Sequence, residues 1–179
     1  MFYQINQGRL AASEQPVASM LPIAAAVATL VQPSTLPGAV SELHHSFHEW
    51  DALGLSPGLI VAERVWCNAE GAVAFYFHDR RPPQPLTHVG LARELAAWLV
   101  LLDKWIETAV VVTCARALWD VEALGGALTF TTPAFLPPAL VAQRPDNWER
   151  VARALATAIV EGPLTGATQQ EQPRTSSRL

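Results

Sequence analysis

Between Glu42 and Asp51 the chain reads ELHHSFHEWD, its densest run of groups able to hold a metal or move a proton. His44 and His48 stand one helical turn apart, so on a helix both imidazoles reach one ion. Asp51 lies a further turn along the same side. Two imidazoles and a carboxylate suit Zn²⁺ or Fe²⁺ and leave a coordination position open for water. A small metal-dependent enzyme would follow from that trio. The run departs from the zinc-protease pattern, which sets a glutamate directly after the first histidine. A more distal ligand would have to come from His78 or His88. Without one, these residues are polar groups flanking the apolar stripe of a surface helix, and no cofactor is expected.

The other candidate chemistry is thinner. Cys67 and Cys114 are the two thiols, and no glycine-flanked nucleophile elbow surrounds either. Both fall in apolar runs, where a free thiol behaves as a small hydrophobe. Two cysteines make no disulfide framework, although a bond between neighbouring strands is open, and a reducing cytoplasm is the expected compartment. Gly125-Gly126 lacks the lysine and hydroxyl residue of a phosphate-cradling loop.

The scaffold for these groups centres on Leu59 to Thr113. Leu59–Cys67 and Ala72–His78 are rich in β-branched and aromatic residues, and Asn68-Ala69-Glu70-Gly71 between them is turn chemistry, so a β-hairpin is predicted. Asp79–Pro85 is Pro-rich and reads as an exposed connection. Thr87 can cap a helix over 88–107, striped with Val89, Ala92, Leu95, Ala96, Leu99, Leu102 and Ile106. Ala109–Cys114, AVVVTC, reads as a strand buried on both faces. Ala127–Thr132 alternates apolar and polar and reads as a half-exposed strand after a Gly125-Gly126 turn.

Flanking segments complete the outline. Phe2, Tyr3 and Ile5 suit a short edge strand. Pro16–Val31 reads as a buried Ala-rich helix or as the apolar core of an export signal; against export, Arg9 is the lone positive charge before it and Pro22 interrupts it. A helix over 39–53 buries Val40, Leu43, Phe47, Trp50 and Leu53. Asp146 and Glu149 resemble a capping box opening the last helix, which Gly162-Pro163 stops. The whole is an α+β fold. It has a mostly antiparallel sheet of about four strands with helices packed on it, in the order α-α-β-β-α-β-β-α. Residues 1–163 form one domain, and the polar stretch 164–179 is a disordered tail.

Composition limits the partners. Half of the 179 residues are hydrophobic, 16% are charged, mean hydropathy is +0.19 and the net charge is −4. With that net charge, no Lys/Arg cluster and Lys104 as the single lysine, nucleic acid and anionic membrane surfaces are poor partners. Trp98, Leu101 and Trp105 add more apolar surface to helix 88–107 than one sheet face needs, which marks them as an interface.

Two resemblances bear on function. Thr131–Pro138 is similar to the end of a protein-kinase activation segment, and Asn68–Phe77 resembles a strand pair near its start. The catalytic His-Arg-Asp and Asp-Phe-Gly residues are missing, so no kinase activity is implied. The predicted element order and the acidity are similar to those of the dimeric chaperones of type III secretion, in order alone. The leading expectation is a non-enzymatic interaction protein: an adaptor, assembly factor, chaperone or immunity-type protein, binding another protein or itself. A small-molecule sensor with an apolar pocket under helix 88–107 is a third reading.

Overall fold

Asn68 builds the turn that the sequence assigns to it. Its Oδ1 accepts from the backbone N–H of Glu70 (3.1 Å) and of Ala72 (2.9 Å). Gly71 supplies a φ of +83°. The turn joins strands β5 (Val65–Cys67) and β6 (Val73–Tyr76), which pair antiparallel with Val65 opposite Phe75. Gly71 lies so close to the helix that precedes the hairpin that a Cβ there would sit 2.6 Å from Cβ of Glu42. The computed structural model in which this is seen describes residues 1–16, 19–30, 36–78, 83–85, 91–143 and 146–162.

The hairpin is the centre of a five-stranded antiparallel sheet ordered β2-β1-β6-β5-β3. Strands β1 (Phe2–Asn6) and β2 (Arg9–Ser13) form a second hairpin, and β3 (Leu21–Pro22) pairs with β5 at the far edge. The stretch Phe2–Ile5 is therefore interior to the sheet, not an edge. A two-stranded sheet joins β4 (Leu55–Ser56) to β7 (Gln84–Pro85), so the end of the Pro-rich connection is paired. The α+β class and the mostly antiparallel sheet are as the sequence predicts, with one strand more in the main sheet.

Within the Ala-rich run, helix α1 (Ile23–Leu30) buries Ile23, Ala26 and Val27, directly after β3. Helix α2 (Leu36–Ala52) lies across the sheet and buries Val40, Leu43, Phe47 and Trp50, as its stripe predicts, while Leu53 beyond it is exposed. Phe75 of the sheet meets Trp50 edge-on at 5.1 Å and Phe47 at 6.2 Å. Phe47 in turn stacks flat on Trp98 at 4.8 Å. The layers thus run from sheet to α2 to α3 (Ala92–Leu102), whose residues Leu95 to Leu102 are all buried. The helix is shorter than the predicted 88–107: Leu91 precedes its first turn and Asp103 ends it, while the predicted Thr87 cap lies outside the described residues.

Two predicted strands are helices. Ala109–Cys114 lies in α4 (Thr108–Ala115), with Val111, Val112, Cys114 and Ala115 buried and Ala109 and Thr113 exposed. That is a helical period, which outweighs the β preference of three consecutive valines. Ala127–Phe130 ends α5 (Val121–Phe130). Asp120 caps it by accepting from the N–H of Ala123 at 2.8 Å. The glycine pair sits inside this helix. Gly126 lets α5 approach α3: a Cβ there would meet Cβ of Ala92 at 3.2 Å. The observed order no longer follows the secretion-chaperone pattern.

After the short α6 (Pro138–Gln143), α7 (Asn147–Glu161) closes the helical layer with Val151, Leu155 and Ala158 buried. The capping box at its start does not form. The Asp146 carboxylate is taken by Arg150 at 2.5 Å. Gly162 ends the helix with φ +73°, and Arg116 reaches across to its carbonyl at 2.6 Å. Residues 163–179, including the predicted tail, lie outside the described residues. Among the described residues no helix is long and apolar enough to cross a membrane.

Gly125 differs from Gly126 in having nothing within 4 Å of an added Cβ, and its φ is not positive. Gly125→Ala therefore raises stability by about 0.5–1 kcal/mol, by restricting the unfolded chain and favouring the helix. Urea denaturation checks this, and a lowered midpoint with unchanged slope would contradict it.

Candidate functional site

Helix α2 carries the predicted metal trio, but the structure does not assemble it. His44 has no solvent exposure. Its Nε2 lies 3.0 Å from the carbonyl of Val111, and its Nδ1 accepts from Nε1 of Trp98 at 3.0 Å. A carbonyl only accepts, so Nε2 holds the proton and Nδ1 offers its lone pair to the indole. Neither nitrogen is left for an ion. Desolvation lowers the His44 pKa to about 4, against an opposing pull from the Val111 hydrogen bond. His48 and Asp51 stay at the half-exposed end of the helix, 3.9 Å apart. Among the described residues no three His, Cys, Asp or Glu side chains are arranged to hold a metal ion.

Two of the three residues predicted to form an interface lie inside the core. Trp98 and Leu101 are fully buried. Helices α4, α5 and α7 cover α3, and the first two include the segments predicted as strands. Only Trp105 reaches the surface, half-buried under Nζ of Lys104 at 4.8 Å from its ring. It borders an open groove of about 750 Å³ between residues 103–109 and 150–154. Part of the polar wall of that groove is paired internally. Buried Asp103 accepts from Arg150 Nη2 at 2.6 Å and from Thr108 Oγ1.

Trp119 was not singled out by sequence. It lies between α4 and α5, 5% exposed, edge-on to the rings of His44 (5.4 Å), His48 (5.5 Å) and Phe47 (6.3 Å). Its Nε1 has no hydrogen-bond partner among the described residues, and neither does Nδ1 of His48. Beside it opens a cavity of about 400 Å³. Leu91, Ala92, Leu95, Ala123 and Gly126 make its apolar wall, and Asp51, Asp120 and Glu122 bring three carboxylates. No lysine or arginine is among the lining residues. Gly126 lines it where α5 comes close to α3. The one sequence signal for this site was Asp120 ahead of Val121-Glu122-Ala123, a helix start with acid in its first turn.

The thiols lie apart from this cavity. Cys67 and Cys114 are free and buried. Burial pushes the Cys67 thiol up to about 12, which leaves it protonated and unreactive. Cys114 Sγ lies 3.5 Å from the carbonyl of Pro37.

Compared with family models, curated proteins and solved structures, the chain matches none.

His44 gives the fold a defined response to acid. Below its ordinary value of 6.5 the unfolded chain takes up a proton that the folded chain refuses until about pH 4. The contribution is complete above pH 6.5 and is lost as pH falls from there towards 4, amounting to about 3 kcal/mol. Urea unfolding at stepped pH reads this as a slope that His44→Gln removes. An NMR titration placing the His44 pKa near 6.5 would refute the buried neutral imidazole.

Proposed function

We propose that the protein is a non-enzymatic interaction module that receives a basic side chain of a partner protein in the cavity beside Trp119. The observation that carries this reading is the pairing of an apolar wall with three carboxylates and no lining cation. A lysine or arginine has the matching form, an apolar stem with a charged head. Its stem would lie along Leu95 and Ala123, and its head would meet Asp51, Asp120 or Glu122. Trp119 lines the same cavity, and an indole is a favourable neighbour for a cation. The Trp-containing contact expected from sequence is thereby moved from Trp98, Leu101 and Trp105 to Trp119. Two free, buried thiols accord with a cytoplasmic setting.

A single side chain binds weakly, so the test uses small probes. N-acetyl-lysine methylamide and N-acetyl-arginine methylamide are titrated in the millimolar range, with the norleucine analogue as the uncharged control. The readout is the indole N–H resonance of Trp119, assigned with Trp119→Phe. The basic probes shift it saturably and more salt merely weakens them, whereas norleucine binds far less. Asp51→Asn with Glu122→Gln lowers affinity about fivefold or more, the effect of roughly 1 kcal/mol. Equal response to norleucine, or none to either basic probe, would sink the reading.

A further inference from the structure

We propose that the β2 edge of the sheet pairs with the same edge of a second copy of this chain, joining two sheets into one. The two edges of the sheet are built differently. At one, β3 is only Leu21–Pro22, short and closed by a proline that has no N–H to offer. At the other, β2 is the five residues Arg9–Ser13, with no proline or lysine and a single charge, Arg9. Short edges, prolines and lysines are the usual protections against edge pairing, and β2 has none of them.

The backbone pattern of this edge follows from its turn. Gln7 (φ +51°) and Gly8 (φ +71°) form a two-residue hairpin loop, and Asn6 opposes Arg9 across it. Residues flanking such a loop exchange both backbone hydrogen bonds, and bonded pairs then alternate along the ladder. Arg9, Ala11 and Ser13 accordingly bond to β1, and Leu10 and Ala12 turn their N–H and C=O groups outward. The other side of β1 obeys the same alternation: Met1 exchanges hydrogen bonds with Phe77, N–H to carbonyl at 2.8 Å and amine to carbonyl at 3.1 Å. Among the described residues no backbone group reaches Leu10 or Ala12 from outside, and both residues are exposed.

This pattern is complementary to itself. Two β2 strands related by a two-fold axis at Ala11 run antiparallel, with Leu10 of each opposite Ala12 of the other. Each outward N–H then meets an outward C=O. Arg9 falls opposite Ser13 of the second copy, so the two positive charges sit at opposite ends. The facing side chains at positions 11, 12 and 13 are small, and Leu10 (36% exposed) loses water against the second copy. The contact is short, so the dimer is a weak one that forms as concentration rises. It shares no residue with the Trp119 cavity.

Light scattering across a concentration series tests the pairing. Mass rises towards twice the 19.4 kDa chain. Ala12→Pro, which removes an outward N–H without touching the β1 ladder, holds the mass at one chain. Leu10→Lys, which sets a charge on the pairing edge, does the same, and both variants keep the far-ultraviolet circular dichroism of the parent. Amide exchange slows at Leu10 and Ala12 in the concentrated parent and at neither on dilution. A single-chain mass at every concentration overturns the proposal, as does a dimer that survives both substitutions. Trp119→Phe leaves the mass series unchanged, so failure here and failure of the cavity reading are separable.

Discussion

One buried imidazole fixes the spacing of three helices. A polar group removed from water must find its hydrogen bonds inside or destabilise the fold by about 1–3 kcal/mol. His44 on α2 finds both: a donor in the indole of Trp98 on α3 and an acceptor in the carbonyl of Val111 on α4. Trp98 can donate only from Nε1, so its ring is held in one orientation, and that orientation lets Phe47 stack on it nearly parallel, at 3°. Phe47 and Trp50 then carry the contact to Phe75 and the sheet. The histidine run that looked most like chemistry is thus, at His44, the polar centre of the core.

Local signals were legible where turn and cap chemistry agreed with hydrophobic period. The Asn68–Gly71 turn, the buried stripe of α2 and the glycine stop of α7 all sit where the residues imply. The failures share a cause, in that local propensity was outweighed by tertiary packing. Val110, Val111 and Val112 have the stiffness of strand residues, yet α4 places Val111 and Val112 in the core and Thr113 in water. Gly125-Gly126 has the composition of a turn, but one glycine is there to bring two helices together. At α7, Arg150 competes for the carboxylate of Asp146 and wins it from the backbone.

The cavity beside Trp119 is hidden in the sequence for the same reason. With two helices read as strands, α3 had too few neighbours, and Trp98 and Leu101 were left without cover. Once α4, α5 and α7 surround it, the surplus apolar surface is consumed. One opening that remains lies between α3 and α5, beside Trp119. Asp51 belongs to both accounts: the trio named it as a ligand, and the structure places it on the rim of the cavity. Trp119, Asp120 and Glu122 become neighbours of Asp51 only through the chain reversal between α4 and α5, which no spacing in the sequence records.

The hairpin turn at Gly71 constrains the history of this chain as well as its shape. Its neighbours Ala69 and Glu70 are exposed and bear little on the contact with α2. Gly71 has both a left-handed backbone and no space for a Cβ beside Glu42. Any lineage that keeps this fold can drift freely at 69 and 70 and must hold glycine at 71, or else shift the whole helix α2. Such a shift would move His44 out of reach of Trp98 and Val111. Residue 71 is therefore the place where an otherwise tolerant surface loop answers to the centre of the core.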